Sequence, residues 1–300
     1  MWQNTSISRS AKHKDKFMSS EQENIPLEGG YINSVYRNGD HVVKHYIEHP
    51  AITTPKEMRF QREIQALTLF DGTISPRLIS YDEERLVITM ELFEGENLKY
   101  IVENGTSDYE KQHFFRRTGE LARLVHETKI PATLEMKSDY SNNKRRTALN
   151  NYNTIISTGL AEEADINTDR LLTRLIRKDL PNMSRTLNST DHFSFLHGDF
   201  WLSNLIGTQS TGDVFGIIDW EYAHFGMPHE DIAQIMMWDL RGKEQYIPDF
   251  FAGYGTHLDV VPFIVTTALE YVSEGTPEEY RSQDENGFIK KHASILKDFL

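Results

Sequence analysis

The chain has 300 residues, 38% of them hydrophobic and 11% aromatic, which is typical of a folded protein with room for two lobes. Its net charge of −13 disfavours nucleic acid and anionic membrane as partners, so we predict neither. The absence of cysteine excludes disulfides and thiolate chemistry. No apolar run approaches the ~20 residues that span a bilayer, and no secretory signal is recognised, so a cytoplasmic protein is expected.

The first part of the chain divides into a polar arm and a strand-rich unit. Residues 1–24 lack periodicity and are predicted to be a flexible N-terminal arm. Residues 25–94 are predicted to form the smaller, nucleotide-binding lobe. Within it, Asn38-Gly39 is the strongest signal for a short hairpin. The other predicted elements are a helix over 56–70, strands over 77–81 and 86–90, and a linker over 91–95.

Helical patterns dominate residues 95–300, which are predicted to be the larger lobe with the catalytic loop and the substrate site. Apolar stripes predict helices over 110–126 and around 171–176, whereas residues 142–146 are predicted to be an exposed turn. An island of short strands interrupts the helices. Its predicted strands cover 193–196, 205–207 and 215–218, with a hairpin turn at 210–213, and helices resume near 229.

The most informative residues lie in this island of strands. Asp199 is followed five residues later by Asn204 and fifteen residues after that by Asp219, each beside a short apolar run. In phosphoryl transfer, one carboxylate accepts the proton of the attacking hydroxyl, while an amide oxygen and a second carboxylate hold magnesium. We therefore predict Asp199 as catalytic base and Asn204 and Asp219 as Mg²⁺ ligands. His197 is predicted to brace the loop by hydrogen bonding.

Residues suited to binding phosphates occur in the smaller lobe. Paired glycines let backbone amides approach phosphate oxygens, although such a pair taken alone is usually a plain turn. Lys44, on the following strand, could contact the α and β phosphates, and Glu63 on the next helix is available to hold its ammonium group. The residues predicted to bind nucleotide here are Gly29, Gly30, Asn33, Ser34, Lys44 and Glu63.

Taken in order, these segments resemble the aminoglycoside phosphotransferase and choline kinase family, small-molecule relatives of the protein kinases. The resemblance covers about residues 25–235, and its most specific parts are His197-Gly198-Asp199 with Asn204, and Ile218-Asp219-Trp220-Glu221. It implies an α+β, bilobal, protein-kinase-like fold. A small antiparallel-sheet lobe with one main helix would face a larger, mostly helical lobe, with ATP between them.

The resemblance also implies roles for residues that spacing alone does not single out. Adenine would bond to the backbone of a hinge formed by Met90, Glu91, Leu92 and Phe93, and Asp231 would brace the catalytic loop. The residues are compatible with ATP or with GTP. Because no long activation segment follows Asp219, the resemblance implies a small hydroxylated acceptor rather than a protein.

Trp201, Glu221 and Tyr222 are predicted to meet the acceptor. The acidic larger lobe and its aromatic side chains, Trp238 among them, favour a small cationic molecule of the aminoglycoside type. Within the same class the alternative is a choline, ethanolamine or thiamine kinase, which the residues at 218–223 also resemble. The alternative from another class is a catalytically silent nucleotide-binding module.

Overall fold

The computed structural model describes residues 25–27, 32–49, 52, 54–104, 106–208, 213–274 and 288–300. The predicted N-terminal arm, the glycine pair at 29–30 and the turn residues 210–212 lie outside the described residues. Within the described ranges, no helix has the length and apolar character needed to cross a membrane.

The smaller lobe is a five-stranded antiparallel sheet with one helix. Its elements are β1 (Ile25–Pro26), β2 (Ser34–Asn38), β3 (His41–His45), α1 (Lys56–Phe70), β4 (Leu78–Asp82) and β5 (Val87–Glu91), with sheet order β1-β2-β3-β5-β4. Gly39 has φ 62° in the β2–β3 turn, the left-handed conformation that this turn residue favours. The predicted hairpin, helix and two strands are confirmed.

Helix α1 lies with its apolar face on the sheet and its C-terminal end on the larger lobe. Phe60 is buried against Tyr46 at 5.6 Å between ring centroids. Phe70, at the last turn, contacts Trp220 at 4.9 Å, and the amide of Ile217 donates to the carbonyl of Ile74 at 2.7 Å. These contacts join the two lobes immediately beside Asp219.

The larger lobe is mostly helical. Its helices are α2 (Leu98–Glu103), α3 (Asp108–Glu127), α4 (Leu134–Ser157), α5 (Leu160–Glu163), α6 (Thr168–Arg174), α7 (Leu180–Asn188), α8 (His229–Ile235), α9 (Ile247–Tyr254), α10 (Val261–Glu274) and α11 (Phe288–Phe299). Helix α3 begins with a capping box, in which the Ser107 hydroxyl accepts from the Glu110 amide while the Glu110 carboxylate accepts from the Ser107 amide. The helix predicted over 110–126 is confirmed.

The turn predicted at residues 142–146 is wrong, because these residues lie inside α4. The Thr133 hydroxyl caps the start of this helix by accepting from the Met136 amide at 3.2 Å. Lys144 pairs with the Glu230 carboxylate, and the Tyr140 hydroxyl donates to the same group at 2.8 Å. These contacts with α8 outweigh the low helix propensity of the asparagines.

Short strands form two small sheets between the helices. The strands are β6 (Glu96–Asn97), β7 (Lys129–Pro131), β8 (His192–Leu196), β9 (Leu205–Gly207), β10 (Val214–Ile217) and β11 (His224–Gly226), in sheets β10-β9-β6 and β11-β8-β7. The three predicted strands are confirmed, as is the return to helix at residue 229. β9 starts after Asn204 and β10 ends before Asp219, at the same edge of the β10-β9-β6 sheet. Asp199, in the loop after β8 of the other sheet, joins them through its bond to Asn204.

His229, the first residue of α8, gives stability a dependence on pH. It is 7% exposed and stacks on Phe263, and burial lowers its pKa to about 4 although nearby carboxylates act in the opposite direction. Its pKa in the unfolded chain is near 6.5. Below that value the unfolded chain gains a proton that the folded state does not bind until about pH 4, so stability falls as the pH decreases through this window.

We expect this histidine to remove about 2 kcal/mol from the free energy of unfolding between pH 7 and pH 5. The variant His229→Phe keeps an aromatic ring against Phe263 but cannot titrate. Between pH 7 and pH 5 its free energy of unfolding should therefore fall by about 2 kcal/mol less than that of the wild type. Urea denaturation of both proteins at several pH values measures the difference. Parallel pH profiles would contradict the assignment.

Candidate active site

Lys44 is the centre of the candidate site. It lies on β3, paired with Val35 of β2 and Ile88 of β5, so that the sheet holds its backbone on both sides. Its Nζ is 2.6 Å from Glu63 Oε2 and contacts Asp219 Oδ1. Burial alone would lower the pKa of Lys44, but the carboxylates, Asp219 foremost, raise it well above its usual value. The ammonium group is therefore charged at neutral pH.

Asp219 stands at the end of β10 in an unusual backbone conformation. Its φ is 66°, which is uncommon for a residue with a side chain and is found where the surrounding structure enforces it. The preceding amide, Ile218 N, donates to the Asn204 carbonyl at 2.9 Å. Although burial acts to raise it, the pKa of Asp219 is lowered by the Lys44 ammonium. With its side chain 41% exposed, this carboxylate can reach a ligand.

Asp199 and Asn204 are joined directly. The Asn204 amide nitrogen donates to Asp199 Oδ2 at 2.9 Å and to the Asp199 carbonyl at 2.8 Å, and Trp201 Nε1 donates to the same Oδ2 at 3.2 Å. Burial, with Asp219 acting in the same direction, raises the pKa of Asp199 to about 6. Since both donors bond to Oδ2, the other oxygen is the one left for a reacting hydroxyl.

A buried carboxylate fixes the loop that carries Asp199. Asp231 accepts from the backbone amides of His197 at 2.8 Å and Gly198 at 2.9 Å, and it bonds to His126 Nε2 at 3.0 Å. His197 Nε2 in turn bonds to the Ile218 carbonyl at 2.9 Å. The side chain of His197 thus ties the Asp199 loop to the segment preceding Asp219, and Asp231 holds the backbone of the Asp199 loop.

The predicted hinge begins at the end of β5. Met90 is buried, whereas the amides of Glu91 and Leu92 donate to the carbonyls of Arg77 at 2.9 Å and Asp40 at 3.1 Å. A nucleotide base at this edge would therefore have to use other backbone groups of the hinge, such as those of Phe93.

The residues predicted to meet the acceptor fall into two environments. Trp201 packs on Trp238 at 5.5 Å between centroids, and the Lys99 ammonium lies 5.4 Å from the Trp201 ring. Tyr222 is half-buried, and burial raises the pKa of its phenol, with Glu221 acting in the same direction. The Glu221 carboxylate itself is 2% exposed and held in an ion pair, so in this arrangement it does not face an acceptor.

Comparison with known protein families identifies the family of this chain. Residues 23–264, most of the chain, match the model of the phosphotransferase enzyme family. The chain belongs to the phosphotransferase enzyme family. The predicted resemblance and the predicted enzyme class, a small-molecule kinase, are thereby confirmed. A comparison with curated proteins finds no significant match.

Solved structures of similar fold agree with this membership. The gentamicin complex of APH(2")-IIa is 17% identical at a TM-score of 0.61, covering 92% of this chain and 91% of the other. ADP-bound APH(2'')-Ib is 17% identical at a TM-score of 0.60, covering 91% of this chain and 94% of the other. An ethanolamine kinase from Plasmodium vivax is 17% identical at a TM-score of 0.60, covering 92% of this chain and 80% of the other. These likenesses confirm the predicted bilobal, protein-kinase-like α+β fold.

The oxygens of the candidate site that no other side chain contacts would suit Mg²⁺, a hard cation that prefers oxygen ligands. The side-chain nitrogen of Asn204 is bonded to Asp199, so its amide oxygen can serve as a metal ligand. Lys44 contacts Oδ1 of Asp219, so Oδ2 of Asp219 can serve as the second ligand. Carboxylate oxygens of Glu63, Asp219 and Glu221 also lie within 4.8 Å of one another. That second cluster already surrounds Lys44, so the Asn204–Asp219 pair fits a divalent ion better.

Sequence reasoning missed two residues of the candidate site. Arg59 bonds to Glu221 at 3.0 Å, and the Tyr46 hydroxyl donates to the Glu63 oxygen that also pairs with Lys44. Arg59 lies four residues before Glu63, on the same face of α1, and that spacing was the available signal. Of the two predicted residues near Arg59, Asn33 is buried in contact with it and Ser34 is exposed.

Proposed function

We propose that this phosphotransferase uses ATP and Mg²⁺ to transfer the γ-phosphate to a hydroxyl of a small cationic molecule. The observation that carries the proposal is the convergence of the Lys44–Glu63 pair, the Asp219 carboxylate and the Asp199–Asn204 pair at one edge between the lobes. Positioning and charge stabilisation supply most of the catalysis of phosphoryl transfer, and these residues can provide both.

Each residue then has a defined task. Lys44 binds phosphate oxygens, and Glu63 and Tyr46 hold Lys44 in place. Asn204 and Asp219 would hold magnesium, which would neutralise charge on the phosphates. The free carboxylate oxygen of Asp199 orients the acceptor hydroxyl and takes its proton. The acceptor oxygen forms a bond to the γ-phosphorus, the bond from that phosphorus to the β-phosphate bridging oxygen breaks, and ADP leaves.

The character of the acceptor is inferred from the Trp201–Trp238 aromatic wall beside Asp199. An ammonium group over an aromatic ring gains about 0.5–2 kcal/mol. The Lys99 ammonium already lies over the Trp201 ring, so the wall accepts a cation, and an acceptor amine would take the place of Lys99 there. Two of the similar solved structures are named for a hydroxylated amine, one as a gentamicin complex and one as an ethanolamine kinase. An aminoglycoside-type acceptor is the first candidate. A choline or ethanolamine type is the second, because an aromatic wall suits a single ammonium group.

Nucleotide choice and lobe boundaries belong to the same proposal. The ADP-bound similar structure supports adenine nucleotide, and GTP is the alternative. We place the boundary between the lobes at residues 94 and 95, because β5 ends at Glu91 while β6, at Glu96–Asn97, pairs with β9 of the larger lobe.

Release of ADP or GDP across a panel of acceptors tests the function. The panel holds several aminoglycosides, choline, ethanolamine, thiamine and a neutral sugar, each with ATP or GTP, with Mg²⁺ or with EDTA. We expect Mg²⁺-dependent release with at least one amine, above the rate with water alone, and none with the sugar. Nucleotide-induced thermal stabilisation without transfer to any acceptor would instead favour a silent nucleotide-binding module.

A further inference from the structure

Arg59 is a completely enclosed cation that the catalytic scheme does not use. It lies on α1 with 0% exposure, and burying a guanidinium group is unfavourable unless it is paired and hydrogen-bonded. Its two terminal nitrogens have three partners. Nη1 donates to Asn33 Oδ1 at 2.9 Å and Glu221 Oε2 at 3.0 Å, and Nη2 donates to the Ile47 carbonyl at 2.6 Å.

Asn33 and Glu221 are also bonded to each other. Asn33 Nδ2 donates to Glu221 Oε2 at 2.6 Å, so the side chains of Asn33, Arg59 and Glu221 close a hydrogen-bonded triangle, here called the clasp. All three members are buried. In such surroundings hydrogen bonds to charged groups are stronger than in water, and loss of one member removes one bond from each of the other two, which stay bonded to each other.

The clasp joins two segments that are predicted to bind the nucleotide and its metal ion, the start of β2 and the segment after Asp219. Asn33 follows the predicted phosphate-binding glycine pair and immediately precedes β2, whereas Glu221 is two residues beyond Asp219. Arg59 is on α1, one turn before Glu63 and on the same face. The clasp therefore spans the lobes, with two members in the smaller lobe and one in the larger lobe.

The clasp also affects how closely each carboxylate approaches Lys44. Glu221 Oε2 is 3.7 Å from Lys44 Nζ, while Glu63 Oε2 is at 2.6 Å and Asp219 Oδ1 is also in direct contact. Without Arg59, the buried Glu221 carboxylate would have Lys44 as its nearest cation. It would compete with Asp219 for that ammonium group and repel the Asp219 carboxylate.

We propose that Arg59 and Glu221 are positioning residues for Mg²⁺–nucleotide binding, and that Glu221 acts through the clasp rather than by contact with the acceptor. The clasp aligns the start of β2 with the Asp219 segment and leaves Lys44 to the phosphates. This inference rests on the proposed function for its turnover assay, and it revises the sequence-based prediction that Glu221 meets the substrate.

The test compares variants that change the clasp in steps. Arg59→Lys keeps the charge but loses the planar fork that reaches three acceptors. We expect its KM for ATP, at fixed Mg²⁺, to rise about tenfold, with kcat within about threefold of the wild type and an unchanged acceptor KM. Arg59→Met should also unfold at lower urea. The double variant Arg59→Met/Glu221→Gln, which removes the unpaired charge, should recover most of the lost stability but not the ATP KM.

Arg174→Lys is the matched control. Arg174, which is partly buried, also pairs with a buried carboxylate, Asp179 Oδ2 at 2.9 Å, but it lies on α6 and its other bond is to the Phe299 carbonyl. The same substitution there should lower stability and leave the ATP KM unchanged. Lower stability in Arg59→Lys with both KM values unchanged, or a raised acceptor KM with an unchanged ATP KM, would overturn the proposal.

Titration calorimetry with Mg²⁺–ADP separates this inference from the proposed function. A wild-type protein that binds Mg²⁺–ADP but transfers no phosphate would overturn the proposed function alone. The Kd then decides the role of the clasp. A Kd about tenfold weaker in Arg59→Lys and unchanged in Arg174→Lys supports it, and an equal Kd in Arg59→Lys and the wild type overturns it.

Discussion

Replacing Asp199 by Asn is expected to lower kcat by about 10³-fold while the KM for ATP stays within about threefold. The amide oxygen of Asn can still accept from Asn204 Nδ2 and Trp201 Nε1, which now meet at Asp199 Oδ2, so the loop should keep its shape. The other oxygen becomes an NH₂ group that neither accepts a proton nor attracts the acceptor hydroxyl. Steady-state ADP release, with the best acceptor from the panel, measures the effect.

Asp191→Asn is the control for this substitution. Asp191 is an exposed carboxylate immediately before β8, eight residues from Asp199, and the same chemical change there should leave kcat within about twofold, as is usual for surface positions. The unfolding midpoint of Asp199→Asn should remain near that of the wild type. If Asp199→Asn, or Asp199→Ala, retained most of the wild-type turnover, the assignment of a catalytic base would be wrong.

Features encoded over a few residues could be predicted from the sequence. The β2–β3 hairpin depends on Asn38-Gly39, and α1 depends on apolar spacing, so both are local properties. The candidate site could also be predicted, because each of its residues lies on or follows a short predictable element. These residues are, in chain order, Lys44, Glu63, Asp199, Asn204 and Asp219. Their roles in catalysis stay predictions until variants are measured, whereas their proximity around one cleft is a property of the fold.

Features set by distant partners could not be predicted. Lys144 lies in a helix stabilised by Glu230, which is 86 residues away, and Arg59 is enclosed because Glu221, 162 residues away, pairs with it. On α1, an arginine near Glu57 and Arg62 has the pattern of a solvated helix face. For the same reason the sequence predicts that Glu221 meets the acceptor, because no residue near it in the chain indicates that a buried arginine will pair with it.

Replacing Gly198 by alanine is expected to destabilise the protein strongly, because the structure leaves no room for a side chain at this position. Its φ is 82°, and a Cβ there would overlap the carbonyl group of Tyr222, lying 2.8 Å from the carbonyl carbon. The backbone cannot shift to relieve this overlap without losing bonds, since the Gly198 amide donates to Asp231 at 2.9 Å and its carbonyl accepts from Gln234 at 2.8 Å. Gly198→Ala is therefore expected to lower the free energy of unfolding by about 4 kcal/mol.

Gly242→Ala separates the two contributions to that loss. Gly242 has φ 76°, similar to Gly198, but a Cβ there meets nothing within 4 Å, so only the left-handed backbone, at about 1–2 kcal/mol, should count. Urea denaturation of both variants measures the difference, which reports the contact with Tyr222 alone. Equal losses would show that the Asp199 loop can move away from the Tyr222 carbonyl. The excess loss in Gly198→Ala, if found, means that the loop and the segment after Asp219 are held rigidly together, as positioning catalysis at Asp199 requires.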